Sequence, residues 1–340
     1  REYGPDVLES FKALADTGQV EFLCETYYHS LSALFSLEEF CEQVEKHAMA
    51  IRNCFGLKPT VFRNTELVYS NEIAEVARLL GFKTILAEGA DRILVGRTPN
   101  VVYTPPKFML PLKWRRIVAR HAIHAVPVQK IKTLLKNYQL SDDIAFRFGD
   151  AHRSKTPLLA ETFAEWVRVS AGKTVNLFMD YETFGEHQWA ESGIFDFLAA
   201  LPRAFKDRGV RTLTPSQSTR TYGRCTLTEF DAHAPVSWAD TERDVSAWRG
   251  NHLQEAALSG IYALESAVKK RKNPGLLDTW RKLQTSDHFY YLCTKYWSDG
   301  DVHKYFSPYE SPYEAFRRYS HALEDLRIML KNFVIPKHPR

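Results

Sequence analysis

The chain has 340 residues, 44% of them hydrophobic, and a formal net charge of +4. That apolar content belongs to packed globular proteins rather than disordered ones, and the small charge, with no long basic run, leaves no electrostatic footprint for nucleic acid. No apolar run approaches the ~18 residues of a membrane span and no signal peptide opens the chain. Five cysteines, at 24, 41, 54, 225 and 293, include no CxxC pair. They fit neither a disulfide framework nor a zinc ribbon and point to a reducing compartment. The expectation is a protein of the cytoplasm with no nucleic-acid or membrane partner.

In chain order, the first half alternates short β-rich runs with helices. Gln19–Glu25 is a β-rich run ending in an acid, and Leu37–Phe55 carries Phe40, Val44, Ala48 and Ile51 at helical spacing. Pro59–Arg63 is a second strand, followed by Asn64-Thr-Glu66. Asn71 is expected to cap a helix over Glu72–Leu80 that ends at Gly81. Lys83–Ala87 is a third strand with Glu88 just past its end. Residues 89–135, broken by Pro99, Pro105, Pro106, Pro111 and Pro127, read as an irregular excursion of the kind that carries function. Regularity returns at Ile144–Phe148, with a helix near Leu158–Ser170 and a strand, Thr174–Met179, that runs into Asp180-Tyr-Glu-Thr-Phe-Gly-Glu-His187. Phe195–Arg208 is a helix and Val210–Leu213 a last strand. Beyond Thr214-Pro215 the pattern turns helical. Leu253–Val268 and Tyr313–Phe333 each present one apolar face in steps of three and four.

Strands alternating with helices imply an α/β fold with a parallel sheet, and acids at strand C-termini suggest a barrel with its site at that end. No GxGxxG follows any strand, which argues against a dinucleotide-binding open sheet. Glu25, Glu66, Glu88, Asp180, Glu182 and Glu186 all lie at or just past such ends. Glycoside hydrolysis needs two carboxyl groups flanking the scissile bond. Spacing alone leaves the pair open among these six.

Two segments carry a resemblance. Val61-Phe-Arg-Asn-Thr-Glu-Leu-Val-Tyr69 and Leu177-Phe-Met-Asp-Tyr-Glu-Thr-Phe-Gly-Glu-His187 resemble signature regions of glycoside hydrolase family 57, in its small archaeal and bacterial α-amylase-like group. Phe22–Leu31, Ser237-Trp-Ala-Asp240, Trp248-Arg-Gly-Asn251 and Gln284–Tyr291 resemble further blocks of that group, so the likeness spans nearly the whole chain. The resemblance implies an incomplete, seven-stranded (β/α) barrel over residues 1–213 and a C-terminal helical bundle over 214–340. It maps the nucleophile to Glu66 and the general acid/base to Asp180. It also implies activity on α-1,4-glucans such as starch, glycogen or maltooligosaccharides, through a glycosyl-enzyme intermediate. Family members begin with a strand carrying His-Gln-Pro. That string does not occur here, and the sequence is expected to enter the fold after the first strand. Alternatives are 4-α-glucanotransferase or branching activity on the same fold, or a glucan-binding homologue that does no catalysis.

Supporting roles are assigned on the same basis. Glu25, His29 and His187 are expected to meet sugar hydroxyls, and Trp189 and Trp238 to stack on glucosyl rings. Asp287 and His288 are expected to reach over the mouth from the helical part. Glu182, two residues from Asp180, shares its face and raises its pKa by like charge. No cofactor or metal is expected: His121 and His124 lack a nameable third ligand, and there is no P-loop, GxSxG or HExxH.

Overall fold

A computed structural model describes residues 4–124, 128–149, 158–225, 228–295 and 306–332. The chain opens with helix α1 (Pro5–Asp16), which the sequence reading did not foresee. Helix α2 (Leu37–Phe55) follows from its sequence. The Ser36 hydroxyl accepts from the Glu39 backbone N–H, Glu38 and Glu39 sit in the first turn, Arg52 in the last, and Gly56 ends it at φ 69°. The predicted stripe of Phe40, Val44, Ala48 and Ile51 is buried. Helix α3 (Asn71–Leu80) ends at Gly81, φ 100°, but its cap is Ser70, not Asn71. Asn71 is spent elsewhere: its carbonyl oxygen accepts from the Ala232 N–H at 3.0 Å and its amide donates to Asp231 at 2.7 Å.

Three parallel strands form one sheet in the order β1 (Val61–Arg63), β2 (Thr84–Glu88), β3 (Lys132–Lys136). Arg63 pairs with Leu86, and Glu88 with Lys136, so all three C-terminal ends open on one side. Strand β3 lies inside the stretch read as irregular, together with helices α4 (Asp91–Leu94) and α5 (Leu112–Arg120). Its Lys-Thr-Leu-Leu-Lys sequence shows no alternation because the strand is buried on both faces, Lys136 included.

The other expected strands are corrected. Residues 22–24 run along β1, but through a single bridge, Cys24 to Phe62. Thr174–Met179 forms no ladder: Lys173 and Thr174 donate their N–H groups to Asn100 O, at 2.7 and 3.0 Å, instead of to β3. Only Asn176 meets the sheet, its carbonyl accepting from Asn137 N and its side-chain amide donating to Leu135 O, both at 2.9 Å. Gly172 permits this detour; at φ +124° a Cβ would lie 2.2 Å from Asn100 O. Val210–Leu213 is not a strand either, since Val210 N bonds back to Phe205 O and residues 211–213 face solvent.

Helices α6 (Tyr138–Ala145), α7 (Ala160–Val169) and α8 (Ile194–Asp207) pack through their own apolar cluster of Leu140, Phe148, Phe163, Ile194, Phe197 and Phe205. After α9 (Pro215–Tyr222) and α10 (Ser246–Arg249), the long helix expected over 253–268 is broken at Ala263–Leu264 into α11 (His252–Tyr262) and α12 (Glu265–Arg271). Helices α13 (Pro274–Lys282), α14 (Ser286–Tyr290) and α15 (Pro312–Asn332) follow. Ile261, Trp280, Tyr319 and Leu326 of these helices share one hydrophobic cluster with Phe62, Ile85 and Leu135 of the sheet. No helix of the described residues is long and apolar enough to cross a membrane.

A buried ion-pair group fixes α2 to α13. Glu39, fully buried, accepts from Arg281 at 2.7 and 3.1 Å and pairs with Lys269 at 3.1 Å, while Gln43 bridges Glu39 to Gln284. Removing one partner of a buried pair leaves the other charge uncompensated and costs about 3 kcal/mol. Arg281→Ala is therefore expected to lower unfolding free energy by about that amount in urea titrations; a change within about 0.5 kcal/mol would show that Lys269 alone suffices.

Candidate active site at the strand ends

Glu66 follows β1 on a one-turn 3-10 segment, Thr65–Leu67, and its backbone is left-handed, φ 57° and ψ 25°. Leu67 is left-handed too, at φ 51°. Two successive non-glycine residues in this region cost about 1–3 kcal/mol each and persist only where the surroundings impose them. Here the surroundings do. Asn64 donates to Val68 O at 2.9 Å, Thr26 and Thr65 share a hydroxyl contact at 2.6 Å, and Tyr69 exchanges both backbone hydrogen bonds with Val236.

The Glu66 carboxylate meets three side chains. Trp238 donates its indole N–H to Oε2 at 2.7 Å, Ser286 its hydroxyl to Oε1 at 3.0 Å, and His29 Nε2 lies 3.1 Å from Oε1. Burial works to raise the Glu66 pKa, but His29, Trp238 and Arg63 outweigh it and bring it down to about 2. His29 Nδ1 lies 3.4 Å from Glu25. Burial opposes the imidazolium, yet its hydrogen bonds to Glu25 and Glu66 raise its pKa to about 10. Glu25 in turn binds Arg63 at 2.9 Å, and the other guanidinium nitrogen of Arg63 stands 3.6 Å from Asp180. Asp180, Arg63, Glu25, His29 and Glu66 thus form one line of alternating charge across the strand ends.

Asp180 differs from Glu66. Burial pushes its pKa up to about 6; Arg63 works against this, and the charges of Glu182 and Glu66 reinforce it. One carboxyl is therefore ionised at any ordinary pH while its neighbour keeps a proton in mildly acidic solution. The stability contributions differ in sign. The Glu66 contribution holds above the ordinary carboxylate range and is lost as pH falls towards about 2, whereas ionisation of Asp180 above about pH 6 works against the fold.

Of the expected site residues, Glu25, His29, Glu66, Asp180 and Trp238 are brought together. Asp287 joins them, its carboxyl held above the usual value by burial and by the Glu66 charge. Its neighbour His288 does not: one step along α14 turns it about 100° away, and its ring packs 5.6 Å from Tyr319 of α15. Glu182 is exposed and reaches Asp180 only through its charge. The chain folds back after it, Gly185 N to Gln188 O, which turns His187 between Phe146 and Phe306 and leaves Trp189 on the surface, 63% exposed. Trp238 is not an open stacking platform, since Arg63 and Lys136 lie 4.6 and 5.3 Å from its ring centre. Arg63 and Ser286 were missed from the sequence. The signal for Arg63 was a cation at the strand terminus amid acids, whereas Ser286 needed the fold, which bonds its N–H to His29 O at 2.8 Å.

His121 and His124 turn to different partners, Glu45 and the Pro59 carbonyl, each at 2.9 Å. Among the described residues one group, Glu38, Glu42 and His121, has its ligand atoms within 4.8 Å of one another. Its carboxylates are already paired with Arg120 and Lys269.

A family model described as "Glycosyl hydrolase family 57" matches residues 1–230. A curated protein of Methanocaldococcus jannaschii, named "Putative alpha-amylase", is 39% identical over 346 residues, covering 98% of this chain and 69% of its own length. Among solved structures, the GH57-type branching enzyme from Pyrococcus horikoshii superposes with a TM-score of 0.63 at 14% identity, over 97% of this chain and 69% of that one. The 4-alpha-glucanotransferase from Thermococcus litoralis gives 0.60 at 16% identity, over 85% of this chain and 47% of that one. At such identities the two structures speak to the fold alone.

The Glu182 charge raises the Asp180 pKa, so removing it must lower that pKa. Glu182→Gln is expected to bring the Asp180 titration down by about half a unit, since the pair is exposed to solvent screening. A carbon-13 NMR titration of the carboxyl groups checks this; an unmoved or raised midpoint would show that Glu182 does not act on Asp180.

Proposed function

The chain belongs to glycosyl hydrolase family 57, and from that premise we propose that it cleaves α-1,4-glucans with retention, Glu66 acting as nucleophile and Asp180 as general acid/base. The observation that carries the reading is the division of labour between two carboxyls at the ends of one sheet, Glu66 lowered to about 2 and Asp180 raised to about 6. Their environments push the two pKa values apart, which is how an acid and a nucleophile are told apart in one site. The fold reading proposed with it is the incomplete (β/α) barrel over residues 1–213, followed by the helical part. Supporting it are three parallel strands flanked by the extended segments at 22–24 and 174–176.

The chemistry runs as follows. Glu66, ionised and oriented by Trp238, Ser286 and His29, attacks the anomeric carbon while Asp180 gives its proton to the departing glycosidic oxygen. The new ester removes the Glu66 charge. Because that charge raises the Asp180 pKa, Asp180 becomes the weaker proton holder at this stage, which suits it to remain ionised and then draw a proton from the incoming hydroxyl. Arg63, touching both Glu25 and Asp180, steadies the carboxylate that Asp180 becomes. Glu25, His29 and Asp287 line the place where the sugar would lie. Hydrolysis is favoured over transfer by the name of the 39% identical relative. Transfer to a glucosyl hydroxyl shares the first step and is favoured by the names of the two solved structures.

Glu66→Gln keeps the shape but cannot form the ester, and turnover of soluble starch and maltooligosaccharides should fall at least about 10³-fold with the melting temperature little changed. Parental activity would remove Glu66 from the role. Asp180→Ala should slow maltooligosaccharides far more than an aryl α-maltooligoside, whose leaving group needs no proton. Equal losses on both would make Asp180 structural. Proton NMR at early time should find the α-anomer released first; β-anomer would establish inversion. The same incubations, scored for new reducing ends against longer chains, divide hydrolysis from transfer.

A further inference from the structure

Trp238 reaches Glu66 from a loop, and that loop is held from below by a second charged group that the chemistry above does not use. Residues 237–244 close on themselves: Ser237 N bonds to Arg243 O at 3.2 Å, and Ser237 Oγ donates to Asp244 O at 2.6 Å. Two loop residues, Asp240 and Arg243, are left-handed, at φ 54° and 52°. Neither is glycine, so side-chain contacts must hold the loop in this form. Lys295 holds Asp240 at 3.4 Å and Arg92 donates to Arg243 O at 3.1 Å, while the contact on the Trp238 carbonyl comes from Arg243. Its NH1 donates to the Trp238 carbonyl at 2.5 Å and lies 3.9 Å from Glu88, its NH2 lies 3.7 Å from Asp142, and its guanidinium covers the Tyr138 ring at 4.8 Å. Asp142 is also bonded by Lys136 at 3.0 Å, and Lys136 lies against the Trp238 ring. Glu88 is fully buried at the end of β2, and among the described residues neither of its oxygens has a hydrogen-bond partner. Burial pushes its pKa up to about 7, with Lys136 and Arg243 working against this, so Glu88 is largely protonated in the acid range where Glu66 titrates.

We propose that Arg243 is a positioning residue for the Glu66 chemistry: set beside Glu88 at the end of β2 and paired with Asp142 of α6, it fixes the Trp238 backbone so that the indole N–H stays on the nucleophile. The proposal rests on the reading of Glu66 as nucleophile. A planar guanidinium presents its donors in a rigid fork, so its hold on the Trp238 carbonyl and its approach to Asp142 are set together, more stiffly than on the flexible stem of an ammonium. The path is continuous: Glu88 and Asp142 to Arg243, Arg243 to the Trp238 carbonyl, Trp238 Nε1 to Glu66 Oε2 at 2.7 Å. The Trp238 hydrogen bond is one of the influences that keep Glu66 ionised, so slack anywhere along the path must appear as a Glu66 that takes up a proton more readily.

The test is a double-mutant cycle on kcat/KM for an aryl α-maltooligoside from pH 7 down to about pH 2, where the Glu66 limb falls, with Trp238→Phe and Arg243→Gln alone and combined. Trp238→Phe should cost about tenfold and move the acid limb up by about one unit, the size of losing one charge-assisted hydrogen bond. Arg243→Gln should lose a similar factor with an upward shift of the same limb, and the double variant should be no worse than the poorer single. Losses that multiply in the double variant, or a parental acid limb in Arg243→Gln, would overturn the proposal, since Arg243 would then not act through Trp238. Arg243→Lys keeps the positive charge beside Asp142 and is read on the same terms should Arg243→Gln not fold: a smaller upward shift supports the proposal and a parental limb overturns it. Full activity of Glu66→Gln would sink the nucleophile assignment itself, an outcome separate from any result of the cycle.

Discussion

The site depends on one constraint: acids gathered at a single sheet edge cannot all be charged unless cations separate them. Glu25, Glu66 and Asp180 converge because β1, the segment at 22–24 beside it and the segment at 174–179 beside the end of β3 all end on the same side, and convergence of like charge is unfavourable in a partly buried place. Arg63 and His29 resolve it by standing alternately between the acids. The resolution is uneven. Glu66 ends the line next to an imidazolium and two neutral donors and stays ionised, whereas Asp180 has one guanidinium at 3.6 Å and another acid, Glu182, beside it. A difference in protonation between two similar side chains therefore follows from where the cations ran out.

Holding that line requires the helical part of the chain. Ser286 and Asp287 come from α14, and they arrive because residues 28–30 bond to 285–286: Ser30 bridges Thr285, Ser286 N reaches His29 O, and Thr285 Oγ1 reaches Tyr28 O. The Glu39, Arg281 and Lys269 group fixes α13, just before α14, on α2. His29 itself is left-handed at φ 49°, so His29 and the Glu66 that it meets are both strained. Such strain is stable only inside a frame that is stabilised elsewhere, and here the frame is the apolar cluster shared by sheet and helices.

How much of this could be read from the sequence follows from the range of each interaction. Helices α2, α3 and α15 were legible nearly to the residue, because apolar spacing, with Gly81 behind α3, is a local signal; the cap of α3 was placed one residue late, on Asn71 instead of Ser70. Strand β3 was not, since a five-residue buried strand bounded by lysines has no alternation to detect. The strand assigned to 174–179 failed for a non-local reason, the Asn100 carbonyl taking the N–H groups of Lys173 and Thr174 where it would begin. In the site, the acids and His29 were visible as candidates, whereas the guanidinium between Glu25 and Asp180 was not. Arg63 looked like an ordinary strand residue, and its significance appears only once 25 and 180 lie on either side of it. Consecutive residues were the hardest to separate: Asp287 and His288 read as a pair, and helical geometry sends one to the mouth and the other into the packing against Tyr319.

The two carboxyls are also coupled in time. The Glu66 charge contributes to the raised pKa of Asp180, so any step that neutralises Glu66, by a covalent bond or by a proton, makes Asp180 the stronger acid. The coupling is directional in consequence even though it is mutual in physics. Glu66 sits far enough below neutrality, about 2, that Asp180 cannot protonate it in the resting site, whereas Asp180 at about 6 lies close enough to neutrality to respond when Glu66 changes state. Arg63 limits the swing, because its charge favours the ionised Asp180 in both states. The role proposed for Asp180, giving a proton in one half of a cycle and taking one in the other, calls for such a movable midpoint, and the alternating line provides it without any side chain having to move.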